Sequence, residues 1–155
     1  MHQYRISKYD PSLRSPSGAY RLDEWTSRAD IGKTFGGVLL TEERYLCTEQ
    51  AYLETAATFL GEAGITELKV VGLENHGQCP TAPLDGSSIK TEDVPVVLRS
   101  LLREDFWCKL ECESAFIHVG YDYYMYIGTS VDCAGATAFA QGNRLFAETF
   151  KSPYV

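Results

Sequence analysis

The sequence has no apolar run approaching the ~18 residues of a membrane-spanning helix. Its opening, Met1-His2-Gln3-Tyr4-Arg5, carries no apolar stretch of the kind that directs secretion. Positive charge is scarce: 14 Lys and Arg stand against 21 Asp and Glu, a net charge of −7. A surface of that sign repels nucleic acid and anionic lipid, so neither is expected as a partner. The glycine motifs of phosphate loops, dinucleotide folds and nucleophile elbows are all missing. The nearest stretch, Gly32-Lys33-Thr34-Phe35-Gly36-Gly37, has Ser27 where a phosphate loop needs its first glycine, and reads as a turn. No C-x-x-C pair occurs among Cys47, Cys79, Cys108, Cys112 and Cys133. Their odd count and irregular spacing suit free thiols in a reducing compartment, and a cytoplasmic location is expected.

What is present is ordinary globular composition, 45% hydrophobic and 23% charged over 155 residues. That length suits a single domain, 1–155, with enough interior for a real core. Residues 2–9 alternate as a strand, with Tyr4 and Ile6 on one side. The irregular stretch from Asp10 to Gly37 is expected to wrap the domain, pinned by Tyr20 and Trp25. A helix is predicted over 41–62, with Thr41 as N-cap and Glu42 and Glu43 in the first turn, where the dipole favours acids. Its core face holds Tyr45, Leu46, Tyr52, Leu53, Ala56, Phe59 and Leu60. A strand follows over 67–73, then a polar loop over 74–90. A second helix is expected over 92–104, capped by Thr91, with Pro95 tolerated near its start. The aromatic and β-branched runs between 105 and 129 predict an antiparallel meander of three strands. A short helix over 131–141 and a strand over 145–150 complete an α+β fold: a mostly antiparallel sheet with two main helices packed on it.

Candidate chemistry is sparse. Cys108 and Cys112 lie four apart on a predicted strand, about 13 Å along it, too far for one zinc ion. His118 and His76 show no pattern with any thiol, and His118 reads as a hydrogen-bonded sheet residue. No catalytic residue, metal site or cofactor is assigned. Glu49 is the exception in kind, a carboxylate inside the apolar arc of the first helix. Such a group needs a donor, a Tyr hydroxyl or an Arg, unless it serves as a buried functional acid with a raised pKa. The tyrosines are the other signal, with Tyr121, Tyr123, Tyr124 and Tyr126 within six residues. Strand alternation would put Tyr121 and Tyr123 on one side and Asp122, Tyr124 and Tyr126 on the other. One set is core, and the other would offer rigid contact area to a protein. Tyr121, Asp122, Tyr124 and Tyr126, with Glu43, Glu54 and Glu62 of the first helix, form the expected partner-binding surface.

The segments Tyr4 to Pro11, Tyr20 to Lys33, Trp107 to Glu111 and Phe116 to Ile127 resemble small acidic bacterial proteins of the immunity type, from polymorphic-toxin and contact-dependent inhibition loci. The resemblance implies a cytoplasmic protein that binds a toxin, and it brings no catalytic residues. It sets the first expectation: an immunity protein that covers the basic active-site cleft of a cognate toxin, with partner choice in the 74–90 loop. A second expectation is a small enzyme or ligand-binding domain using Glu49 and the Trp25–Gly32 segment, for which Glu49 must line a pocket. A third is a homodimer through the 123–129 edge.

Overall fold

The computed structural model describes residues 1–155. Nine strands and three α-helices follow one another along the chain: β1 (His2–Ser7), β2 (Thr34–Phe35), β3 (Val38–Leu39), α1 (Glu42–Glu62), β4 (Glu67–Glu74), β5 (Ser88–Lys90), α2 (Val94–Leu102), β6 (Trp107–Cys112), β7 (Ala115–Val119), β8 (Met125–Thr129), α3 (Ala134–Gly142) and β9 (Phe146–Thr149). Seven of the strands form one antiparallel sheet in the order β5-β4-β6-β7-β8-β1-β9, and β2 and β3 make a separate hairpin. The fold is α+β, as the order of elements predicts.

The inner face of the sheet and the helices share one core. Ile6, Leu68, Val70, Leu110, Ile117, Met125 and Ile127 meet Tyr52, Leu53, Ala56, Phe59 and Leu60 of α1 there. Full burial of each large side chain contributes about 1.5–3 kcal/mol. Thr41 caps α1 by accepting the Arg44 amide at 3.2 Å. The core face of α1 is as expected except for Leu46, which is exposed. The N-terminus of α3 is capped from outside: the Glu62 carboxylate accepts the amides of Gly135 at 3.1 Å and Ala136 at 2.7 Å. Glu62, expected on the binding face, is therefore spent on packing one helix against another.

The outer face of the sheet carries a second buried layer. On β7, Phe116 and His118 point away from the helices, and their rings stack at 4.3 Å. Gly128 of β8 stands directly opposite Phe116, and a Cβ at that position would overlap the ring. Tyr126 joins this layer, and Phe150 and Tyr154 of the C-terminal segment cover it at centroid distances of 5.9 and 6.0 Å. Tyr126 is thus 7% exposed, and the outer ring surface expected there is closed.

Other expectations change for local reasons. Residues 121–123 form a tight turn, so the last strand of the meander starts at Met125. Strand β8 is flanked by β7 and β1 on both sides and has no free edge for a homodimer. Thr91 does not cap α2; it lies in a short 3-10 turn, and its hydroxyl donates to the Ile65 carbonyl at 2.6 Å. The Gly32–Gly37 stretch leads into the β2–β3 hairpin, with Lys33 paired to Asp30 at 3.2 Å.

The long segment before α1 is ordered by cation and ring contacts. Trp25 packs edge-on against Tyr45 and Tyr123 at 5.5 and 5.0 Å. The Lys8 ammonium lies 4.0 Å from the Trp25 ring centre and 4.3 Å from that of Tyr9, with Glu24 at 3.3 Å. Burial pulls its pKa down to about 8. Tyr20 sits against Tyr9 at 5.0 Å, so both expected pins are in place.

Candidate functional site

A groove of about 380 Å3 opens where three turns meet at one end of the sheet. The end of β4 supplies Glu74 and the turn after it His76, the turn between α2 and β6 supplies Glu104 and Asp105, and the turn before β8 supplies Tyr121. Trp107 and Tyr154 complete the walls, their rings 5.5 Å apart.

Each wall residue is placed by a local device. Gly72, at φ +68, forms a bulge in β4, and the register shift across it brings Glu74 opposite Trp107. Paired residues point to the same face, so the carboxylate lies beside the indole. The Trp107 indole nitrogen donates to the Val119 carbonyl at 2.8 Å, which fixes the ring. Helix α2 ends with Glu104 in the left-handed region, φ +62, where glycine is usual. Tyr121 is 82% exposed. It begins a turn in which Asp122 and Tyr123 both have positive φ, 59 and 66. Two tyrosine hydroxyls hold that turn by its carbonyls: Tyr9 donates to Asp122 at 2.7 Å and Tyr52 to Tyr123 at 2.8 Å. The over-determined backbone of this turn sets where Tyr121 leaves the fold, with its ring exposed at the groove.

The groove carries unopposed negative charge. Its lining holds three carboxylates, one imidazole (His76) and no Lys or Arg. All ion pairs of the chain lie elsewhere. The neighbouring Arg103 is turned away: its Nε and Nη2 both donate to Glu49, each at 2.8 Å.

Glu49 is 2% exposed and fully partnered. It accepts from Tyr45 Oη at 2.6 Å, from Arg103 twice and from Arg99 at 3.2 Å. Burial pushes its pKa up, but the hydrogen bonds from Arg103 and Tyr45 outweigh burial and hold the carboxyl below its usual range. A general base working near neutrality needs the opposite shift. Glu49 lines neither this groove nor the shallow cleft by Glu67 and Lys90, so neither cavity serves an enzyme using Glu49 and the Trp25–Gly32 segment. Its place is structural, and it reaches the groove indirectly. Tyr123 Oη donates to Tyr45 Oη at 3.0 Å, Tyr45 donates to Glu49, and Glu49 holds Arg103. That chain ties the turn carrying Tyr121 to the turn carrying Glu104.

A second polar row runs under the C-terminal segment. Ser152 Oγ lies 2.7 Å from His118 Nδ1, and His118 Nε2 lies 2.8 Å from Glu111 Oε1. A hydroxyl, an imidazole and a carboxylate in line have the outline of a hydrolase triad. Here Ser152 is 4% and His118 0% exposed, and neither lines the groove. Ser152 Oγ also accepts the Tyr154 amide at 3.2 Å. The row acts as a clip that fastens Tyr154 as a wall of the groove. Burial lowers the His118 pKa from its ordinary value, and the Glu111 hydrogen bond only partly offsets that.

The expected binding residues separate. Tyr121 stands at the groove, with Asp122 exposed beside it. Tyr124 is half-buried against Arg5 and Arg14, its hydroxyl accepting from Arg14 at 2.8 Å. Tyr126 is covered, which removes it as a surface contact. Glu43 and Glu54 are exposed on α1, outside the groove, and Glu54 accepts from Gln50 at 3.0 Å. Trp107, Tyr154, Glu74, Glu104 and Asp105 were not singled out from the sequence. Nothing in the sequence sets Glu74, Glu104 and Asp105 apart from any solvated acid. Cys108 is buried, its thiol pushed up to about 12 by burial. No group of three or more His, Cys, Asp or Glu side chains is gathered closely enough to hold a metal ion. No helix is long and apolar enough to cross a membrane.

Comparison with family profiles, curated proteins and solved structures returned no significant match.

Proposed function

We propose that this chain is a protein-binding module of the immunity type, which neutralises a cognate bacterial toxin by covering the toxin's basic active-site cleft. The observation that carries the reading is the groove: three carboxylates and four aromatic side chains converge there, with no Lys or Arg among them. Such a surface attracts Lys- and Arg-rich protein and repels nucleic acid. The net charge of −7 adds long-range steering toward a cationic target. The 74–90 loop, expected from the sequence to set partner choice, contributes Glu74 and His76 to the lining. Inhibition on this reading is steric and electrostatic, and the protein breaks no bond.

The test is co-expression with the product of the adjacent gene. A one-to-one complex is expected, with protection of cells from that product. Affinity should fall by about tenfold or more between low and physiological salt if several charge pairs form. A toxic neighbour that neither co-purifies with this protein nor is silenced by it overturns the proposal.

A further inference from the structure

We infer that the groove is a socket for one arginine side chain of the protein partner, with the guanidinium stacked among Trp107, Tyr121 and Tyr154 and hydrogen-bonded to carboxylates of Glu74, Glu104 and Asp105. The inference rests on the reading of the chain as a binding module and names the chemistry that its groove selects.

Size, walls and charge agree on the occupant. A volume of about 380 Å3 lies at the small end of ligand sites, suited to a single side chain rather than a helix. The aromatic walls favour a flat cation. Trp107 and Tyr154 both line the groove, their rings tilted by 50° at 5.5 Å. Guanidinium stacks on such faces with little loss of hydration, whereas an ammonium keeps its water shell. The carboxylates come from the end of β4 and from the α2–β6 turn, so they reach a cation from different sides. A planar fork with five donors can bond to both at once, and a point charge gains less from that arrangement.

The socket is also held ready. The Tyr121 turn is locked by Tyr9 and Tyr52, and Tyr154 is held by the Ser152 clip. Gly120 lets the Tyr154 ring lie close, since a Cβ there would stand 3.1 Å from its hydroxyl and 3.4 Å from Cε2. The Arg103–Glu49 pair keeps the chain's own nearest guanidinium out of the groove. An arriving arginine therefore displaces solvent and no ion pair of the chain, and its ordering cost falls on the exposed Tyr121, Glu104 and Asp105 side chains.

The experiment is an amide-resolved NMR titration of the whole protein with three blocked tripeptides, Gly-Arg-Gly, Gly-Lys-Gly and Gly-citrulline-Gly. The arginine peptide should give saturable shifts at Trp107, Gly120 and Tyr121, with affinity about tenfold above the lysine peptide and no saturable shift from citrulline. Tyr121→Ala and the double change Glu104→Gln with Asp105→Asn should each abolish saturation, with shifts outside the groove unchanged. Tyr121 and both acids are exposed, so these variants should keep the fold. Equal response to arginine and lysine, or no response to arginine at roughly 10 mM, overturns the inference. Arginine binding without any toxin complex would sink the immunity reading and leave the socket. A toxin complex indifferent to both groove variants would do the reverse.

Discussion

Glu49 shows how one residue type can signal function and serve structure. A carboxylate on an apolar helix face is costly unless paired, and here three side chains pair it. Removing one member of a buried ion pair costs about 3–5 kcal/mol because the partner charge is stranded. Arg103 and Arg99 remain 24% and 43% exposed at the side chain, so both can turn to water. Glu49→Ala is therefore expected at the low end, about 3 kcal/mol, in urea unfolding. Because Glu49 joins the two rims of the groove, the same variant should broaden the NMR signals of Tyr121 and Glu104 while distant strands stay sharp. Intact stability and sharp rims in that variant would show that the chain Tyr123–Tyr45–Glu49–Arg103 braces nothing.

At the scale of elements, the turns matter more than the helices and strands they join. Helix α2 ends on a glutamate in a left-handed conformation that costs an L-residue about 1–2 kcal/mol. Glycine is the usual occupant of such a position. Glu104→Gly should raise the thermal midpoint, with a gain of up to about 1 kcal/mol, and weaken partner binding at the same time. A change in stability of the opposite sign would mean that the strain is absent or that the carboxylate is worth more to the fold than its backbone costs. The β4 bulge and the double left-handed turn at Asp122–Tyr123 follow the same logic: each departs from regular pairing where it sets a groove residue. Regular elements were legible in the sequence because periodicity repeats over many residues. Strand β1, helix α1 and the β6–β8 meander fall within a few residues of their expected bounds. The β2–β3 hairpin and β5 were not anticipated, being only two or three residues long per strand.

Across the whole molecule, buried titratable groups set a pH window. His118 has its pKa lowered from 6.5, so the unfolded chain takes up a proton that the folded protein resists. Its contribution is a loss of stability as pH falls below about 6.5. Glu49 and Glu111 are lowered from 4.5, so the stability that they provide is present above that value and is lost as acid deepens. Lys8, lowered from 10.5 to about 8, adds stability as pH rises between those values. Tyr9, Tyr45, Tyr52 and Tyr123 are raised above 10.0 by burial first of all, and the folded state keeps protons that the unfolded chain sheds, so stability falls above that point. Urea midpoints should therefore climb from acid to a maximum at about pH 8–10 and then decline. His118→Asn should remove the step near 6.5, and a wild-type midpoint that is flat from about pH 5 to 7 would refute that role.

The sequence by itself determined the α+β class, because hydrophobic alternation and helical periodicity state which side of each long element must leave water, and Thr41 states where α1 starts. It also determined that Glu49 needs donors, since an apolar helix face offers none. Which tyrosines face solvent was decided only by tertiary structure. Strand alternation assigns two faces but not what covers them, and here the C-terminal segment buries Tyr126 while a tight turn throws Tyr121 outward. The groove belongs to the same class: its acids and rings come from strand ends and turns distant in the chain, and their convergence depends on strand order and on one bulge, neither of which leaves a periodic trace in the residues themselves.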